Sequence, residues 1–227
     1  MNRFLKQAWT IAAKDLRTEL RNKEAISAAL SFTLVVILLF SFAFDPVSNP
    51  DIRDLSGGLL WIAYLFSGVL LLNRSFARES SNDCIEALVA SPVSGGALFI
   101  GKSVSSFLLL LLLELASLPL FGVFYSMDWT RDFPMLLLVL VLGSWGFTVI
   151  GTLFSAVTAN NRLREIMLPL LVFPMTLPVL IACVQLTTVI LLGDPMWDSI
   201  AWLKLLFGFD IIFTLVGAIL LEIVLLA

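Results

Sequence analysis

Long apolar segments recur along almost the entire chain, and no polar stretch between them is long enough to form a soluble domain. Hydrophobic residues make up 59% of the 227 residues and charged residues only 14%. A helix needs about 20 apolar residues to cross the roughly 30 Å hydrocarbon core of a bilayer, and its backbone polar groups must be satisfied internally. The sequence therefore predicts an all-α integral membrane protein, with residues 1–227 as a single transmembrane domain and no nucleic-acid partner. The six predicted spans are Ala25–Phe44, Gly57–Asn73, Val104–Phe124, Phe133–Val157, Ile166–Leu192 and Leu205–Leu226.

Lysine and arginine residues are concentrated on one side of the predicted spans. Of the 14 basic residues, 11 precede the first span or belong to the connections after the second and fourth spans. The opposite side carries Arg53, Arg131 and Lys204. Because cytoplasmic segments of membrane proteins carry the excess of positive charge, we expect both termini to be cytoplasmic. Tryptophans near the opposite boundary are typical of an aromatic belt, and these are Trp61, Trp129, Trp197 and Trp202.

Residues 1–24 precede the first span and alternate between apolar and charged side chains at helical spacing. One broad face is apolar and comprises Phe4, Leu5, Ala8, Trp9, Ala12, Leu16 and Leu20. The basic side chains lie elsewhere, at Lys6, Lys14, Arg17 and Arg21. A helix of this kind lies in the membrane interface, with its basic residues near anionic lipid. We therefore predict a cytoplasmic interfacial helix; the alternative is a simple extension of the first transmembrane helix.

Residues 96–103 match the phosphate-loop pattern G-x-x-x-x-G-K-[ST]. That loop needs a strand before it, exposed backbone N–H groups within it and a helix after it. Here a turn precedes the segment, the variable positions are bulky and apolar, and a predicted span follows directly. We therefore interpret Lys102 as a side chain that extends to the cytoplasmic edge of the third span. We predict a non-catalytic membrane subunit rather than an ATPase.

The cytoplasmic connection 74–97 contains a short amphipathic pattern. Asp83 and Glu86 have the spacing of a capping box, and Pro92 disfavours continuation of the helix. Between them, three apolar residues share one face, namely Ile85, Leu88 and Val89. A two-turn helix is marginal in isolation, so we expect it to dock on another surface. From the spacing alone, that surface is either a cytoplasmic partner or the membrane.

Several short motifs occur in a characteristic order along nearly the full length of the chain. They are Gly58-Leu59-Leu60-Trp61-Ile62-Ala63, Arg74-x-Phe76, Glu86-x-Leu88, Ser91-Pro92, Gly101-Lys102, Leu118-Pro119-Leu120, Leu168-Pro169-Leu170 and Pro178-Val179-Leu180-Ile181. In this order and spacing the sequence resembles the CcmB family, the permease subunit of the haem exporter used in cytochrome c maturation. The resemblance rests on the order of the motifs, since each motif alone is weak.

The resemblance implies a six-helix permease of a bacterial inner membrane, similar to ABC-2 exporters. It implies that the connection 74–97 holds the coupling helix, which sits in a groove of the ATPase subunit CcmA. The membrane subunits CcmC and CcmD would join the complex, and a second copy of the chain is compatible with it. ATP hydrolysis in this family is linked to release of the haem-loaded chaperone CcmE on the outer side.

The residue types give a separate expectation about haem. Haem iron is usually held by His, Cys, Met or Tyr, and this chain has no His, six Met, two Cys and two Tyr. None of these residues shows an axial-ligand arrangement in the sequence. We expect no cofactor in this chain, with ATP bound by the ATPase partner and haem handled by partner subunits.

Two features inside the predicted spans carry further hypotheses. Glu114 lies near the middle of the third span, where an ionised carboxylate is costly and a function is the default hypothesis. It could equally be protonated or satisfied by a hydroxyl of a facing helix, and we favour a role in packing slightly over one in transport. The fifth span contains three prolines that remove backbone donors and bend a helix, at Pro169, Pro174 and Pro178. A bent helix is a candidate for ATP-driven motion.

Three functions are compatible with this sequence. The first is the haem-exporter permease coupled to a separate ATPase. The second is an ABC-2 permease for a lipid, a glycan or a drug. The third is an ATP-independent secondary transporter or membrane scaffold. A secondary transporter typically shows internal repeats and charged residues at the bilayer midplane, and the sequence shows Glu114 without an evident partner.

Overall fold

Eight helices form the described part of the chain, which a computed structural model gives for residues 2–73, 93–158, 163–195 and 199–226. Six of them are long and apolar enough to cross a membrane, so the prediction of an all-α protein with six spans is confirmed. The spans are α2, α4, α5, α6, α7 and α8. In chain order the helices are α1 (Asn2–Asn22), α2 (Glu24–Phe44), α3 (Pro50–Asp54), α4 (Ser56–Asn73), α5 (Gly95–Tyr125), α6 (Phe133–Thr158), α7 (Arg164–Leu192) and α8 (Ile200–Leu226).

Two spans begin well before the residue that the hydropathy pattern predicts. Helix α5 begins at Gly95 rather than Val104, because the Ser94 hydroxyl accepts a hydrogen bond from the Ala97 N–H and so caps the helix. Helix α8 begins at Ile200 rather than Leu205. Lys204 therefore belongs to this span.

Helix α6 lies at the centre of the bundle and contacts α4, α5, α7 and α8. In the most apolar stretch of α6, 61% of the residues are buried, whereas only 17% are buried in the corresponding stretch of α8. The remaining apolar surface of α8 faces outward, as lipid-facing surface does in a membrane protein. The bundle therefore has a packed interior around α6 and a periphery that includes most of α8.

Helix α1 is a separate element and does not extend the first span. Lys23 adopts a left-handed backbone conformation (φ 54°) between α1 and α2, which interrupts the helix. Ala8 and Ala12 of α1 are buried, and α1 contacts the first turns of α5, where Gly101 allows close approach: a Cβ there would lie 2.7 Å from the Ala8 carbonyl oxygen. The alternative of a continuous first helix is therefore wrong.

The outward face of α1 retains large apolar side chains. Leu5 is 58% exposed and Trp9 is 67% exposed, while Ala8 between them is buried. The broad apolar face predicted from the sequence is thus divided between contact with α5 and a surface open to the surroundings. An exposed tryptophan and leucine beside basic residues fit a position in the membrane interface.

Lys102 is buried rather than extended towards the edge of the membrane. Its side chain is 1% exposed, and its Nζ lies 3.2 Å from Asp15 Oδ2 of α1. The sequence interpretation of this lysine was therefore wrong, because it did not anticipate that α1 covers the start of α5. Residues 96–103 are helical throughout. The interpretation that they are not a phosphate loop is therefore confirmed, although the helix that was expected to follow them already includes them.

Helix α7 contains all three prolines of the fifth span and runs from Arg164 to Leu192 as one element. It ends where Gly193 adopts a left-handed conformation (φ 79°) and donates to the Val189 and Ile190 carbonyl oxygens, a helix end that favours glycine. Pro169, Pro174 and Pro178 do not break the helix. A functional bend at these residues stays a prediction.

Candidate functional site

The predicted coupling residues lie outside the described residues. They fall in the segment 74–92 and comprise Asp83, Ile85, Glu86, Leu88 and Val89, together with Cys84. Their two-turn helix stays a prediction from spacing and family resemblance. The described flanks of this segment are the C-terminal end of α4 and the N-terminal end of α5.

Glu114 of α5 is fully buried and faces a hydroxyl group of α6. The Ser144 Oγ lies 2.7 Å from Glu114 Oε1 and 2.6 Å from Oε2. A serine hydroxyl has a single proton to donate, so it serves one carboxyl oxygen at a time. One alternative left open by the sequence was that a hydroxyl of a facing helix forms a hydrogen bond with the Glu114 carboxyl group. This alternative is confirmed.

Two further hydroxyl groups donate hydrogen bonds to the backbone carbonyl oxygen of Glu114. Tyr64 of α4 donates from Oη to the Glu114 carbonyl oxygen at 3.2 Å. Ser117, one turn further along α5, donates to the same oxygen at 3.0 Å and lies 3.2 Å from Tyr64 Oη. These four residues form a buried polar cluster that joins α4, α5 and α6.

Two further polar contacts connect the neighbouring helices. Trp61 of α4 donates its indole N–H to Thr187 Oγ1 of α7 at 2.9 Å. Thr33 of α2 and Ser67 of α4 lie 2.6 Å apart through their hydroxyl oxygens. Trp61 is 3% exposed, so its assignment to an aromatic belt is wrong: it packs inside the bundle.

The polar cluster lies at mid-depth in the bundle. Glu114 is eleven residues from the end of α5, and Ser144 is eleven residues from the start of α6. At 1.5 Å per residue both are roughly 16 Å from the same side, about half the thickness of the hydrocarbon core. Hydrogen bonds are costly to lose at this depth, because no bulk water replaces them.

A small cavity adjoins Glu114 and has a volume of about 10 Å³. Its walls include Trp61, Tyr64, Glu114, Gly143, Phe147 and Val179. This volume is close to the minimum that holds one water molecule. Sites for drug-sized ligands measure about 300–1,000 Å³, so this cavity is closed to a large substrate.

Gly143 of α6 allows α4 and α7 to approach next to the polar cluster. A Cβ atom at this position would collide with Cys183 Sγ of α7 and with the indole ring of Trp61. Both neighbours are buried, so neither has free space to move into. The close packing beside Glu114 therefore requires a residue without a side chain at position 143.

We expect Gly143→Ala to destabilise the protein by about 1–3 kcal/mol, the usual cost of overpacking. Unfolding of the purified protein in detergent micelles measures the change. The matched control is Gly208→Ala on α8, where a Cβ meets nothing within 4 Å. Equal stability of the two variants would contradict the packing described for Gly143.

Asp210 of α8 is a buried acid that the sequence analysis missed. It is 6% exposed, and neither carboxyl oxygen has a hydrogen-bond partner among the described residues. It lies beside Gly146 of α6, and Cys183 of α7 is within electrostatic range of both Asp210 and Glu114. The available signal was an acidic residue within an apolar span. Among the described residues, no three His, Cys, Asp or Glu side chains are grouped to hold a metal ion.

Polar contacts also join the connections opposite α1. Arg53 of α3 donates from Nη2 to the Ser126 carbonyl oxygen at 2.9 Å. The Thr130 hydroxyl donates to Asp128 at 2.6 Å, and this bond holds the pKa of the Asp128 carboxyl below its usual value. The connections after α2 and α5 are therefore tied together on this side of the bundle.

Comparison with known proteins identifies relatives over most of the chain. The family described as CcmB protein matches residues 6–222. Heme exporter protein B of Pseudomonas aeruginosa is 30% identical over 193 residues, covering 85% of this chain and 86% of the relative. The protein of the same name from Paracoccus denitrificans is 31% identical, covering 74% of this chain and 76% of the relative. That from Escherichia coli K12 is 29% identical, covering 76% and 78%.

Proposed function

The chain belongs to the CcmB family, and from this premise we propose that it is the transmembrane permease subunit of an ABC transporter complex for haem export in cytochrome c maturation. The observation that carries the proposal is the match to proteins named heme exporter protein B over most of both chains. The six-span bundle supports it. As a multi-pass protein, it would reside in the bacterial inner membrane with both termini cytoplasmic.

The route of coupling follows from the order of elements along the chain. The segment with the predicted coupling helix connects α4 directly to α5. These helices carry Tyr64 and Glu114, which are hydrogen-bonded inside the bundle. A displacement of the segment by ATP hydrolysis in CcmA would therefore reach the polar cluster through two rigid helices. In this proposal Glu114 maintains packing between moving helices rather than contacting the transported species.

Haem itself is handled by partner subunits in this proposal. The chain contains no histidine, and the cavity next to Glu114 is far too small for a porphyrin. The permease would then transmit a conformational change that supports release of haem-loaded CcmE, with CcmC and CcmD as the other membrane subunits.

The test is purification of the complex from native membranes through a tag on this chain. We expect CcmA, CcmC, CcmD and CcmE to be recovered, and haem absorbance to accompany the complex but not the chain purified alone. Recovery of an ATPase without haem-handling subunits would favour an ABC-2 permease for another substrate. Recovery without any ATPase would favour an ATP-independent transporter or scaffold.

The proposed orientation predicts one-sided labelling of Cys84. Its segment carries the basic residues expected on the cytoplasmic side, and the other cysteine, Cys183, is buried. A membrane-impermeant maleimide should therefore label the chain in inverted vesicles and leave it unlabelled in intact spheroplasts. Cys84→Ser is the control for specificity, and labelling of Cys84 in sealed spheroplasts would reverse the orientation.

A further inference from the structure

Asp210 occupies a core position on a helix that is otherwise mostly exposed. Leu206, Asp210, Gly217 and Leu221 are buried, and they recur at spacings of four, seven and four residues, which place them along one face of a helix. This narrow stripe is the inner face of α8. The carboxyl group thus stands where the pattern calls for an apolar side chain.

Among the described residues, the surroundings of Asp210 include no hydrogen-bond partner for its carboxyl group. A Cβ atom at Gly146 would lie 2.6 Å from Asp210 Oδ1, so the carboxyl group rests against the bare backbone of α6. Both carboxyl oxygens lack a hydrogen-bond partner in the part of the chain that the structure describes. Glu114, by contrast, has the Ser144 hydroxyl within 2.7 Å.

An ionised carboxylate in this position would be strongly disfavoured. Burial of an unpaired charge remains costly even after the surroundings relax. Among the described residues, Cys183 of α7 interacts electrostatically with Asp210 and also with Glu114 of α5. Neither the thiol nor this second acid supplies a positive charge. Lys204 of α8 is exposed and six residues away.

A bound metal cation does not fit the site either. Hard cations such as Ca²⁺ and Mg²⁺ take about six or more oxygen ligands, and Asp210 has no polar partner within hydrogen-bonding distance among the described residues. A proton, unlike a metal cation, binds to the carboxyl group alone and requires no further ligand. It also removes the charge that makes burial costly.

We propose that Asp210 is a proton-binding site inside the bilayer, shielded by the contact of α8 with α6 at Gly146. Exchange of the proton with water requires α8 to move away from α6. One hydrogen bond near the site opposes that motion, from the Trp145 indole N–H of α6 to Thr214 Oγ1 of α8 at 3.0 Å. The site goes beyond the proposed export function, because it makes the position of α8 dependent on protonation.

The test is infrared difference spectroscopy on the full chain reconstituted in liposomes, recorded between acidic and alkaline buffer. Wild type should show a protonated-carboxyl carbonyl band that Asp210→Asn loses. Asparagine has nearly the shape of a neutral aspartic acid, so this variant should fold; Asp210→Leu, which continues the apolar stripe, provides a second comparison. Glu114→Gln identifies any band that comes from Glu114 instead.

The shielding is tested by the rate at which the band shifts after transfer to deuterated buffer. Gly146→Ala keeps both acids but displaces the Asp210 carboxyl group, so the band should exchange faster than in wild type. Gly208→Ala on the same helix should exchange at the wild-type rate. The proposal is overturned if Asp210→Asn and Asp210→Leu lose no protonated-carboxyl band, or if wild type exchanges as fast as Gly146→Ala.

Discussion

Leu88→Asp is expected to weaken association with the ATPase subunit by one or more orders of magnitude. Burial of a leucine side chain contributes about 1.5–3 kcal/mol, and a carboxylate in the same groove adds a desolvation cost. Each 1.4 kcal/mol corresponds to about tenfold in affinity. The measurement is the amount of ATPase that co-purifies with the tagged chain at equal membrane levels.

The matched control for this experiment is Ala87→Asp. In a helix, position 87 lies on the face opposite the apolar stripe of Ile85, Leu88 and Val89. The same charge should be tolerated there. If both variants retain the ATPase equally, residues 83–89 are not the coupling helix. The contact would then lie near Arg162 and Arg164 or in α1.

Asp15→Ala is expected to destabilise the folded protein by about 3 kcal/mol. The substitution removes the carboxylate that lies 3.2 Å from Lys102 Nζ, whose side chain is 1% exposed. Removal of one member of a buried ion pair is strongly destabilising, because the remaining buried charge loses a stabilising interaction. Unfolding in detergent micelles should report the change, and α1 should become more sensitive to proteolysis.

Lys14→Ala is the control on the same carboxylate. Lys14 Nζ lies 2.8 Å from Asp15 Oδ1, but its side chain is 57% exposed. Exposed ion pairs contribute about 0–1 kcal/mol, so this variant should remain close to wild type. A large effect of Lys14→Ala, or none of Asp15→Ala, would show that the buried pair does not hold α1 on α5.

The candidate site could be predicted from the sequence only in part. Glu114 stood out because it interrupts a leucine-rich span, and a facing hydroxyl was one of the expected alternatives. The identity of that hydroxyl could not be predicted, since Ser144 lies 30 residues away and several other serines and threonines occupy the spans. Asp210 likewise interrupts an apolar span. It was missed because that span was identified from its overall hydropathy and not residue by residue.

The number of spans, most of their limits and the amphipathic character of residues 1–24 could be predicted from the sequence. These properties are local, because the thickness of the bilayer and internal backbone hydrogen bonding act on each segment individually. Three arrangements could not be predicted from hydropathy: Lys102 is buried against Asp15, Trp61 packs inside the bundle, and Asp210 rests against Gly146. Such contacts depend on which helix faces meet, and close packing between neighbours, rather than hydropathy, selects those faces in a membrane.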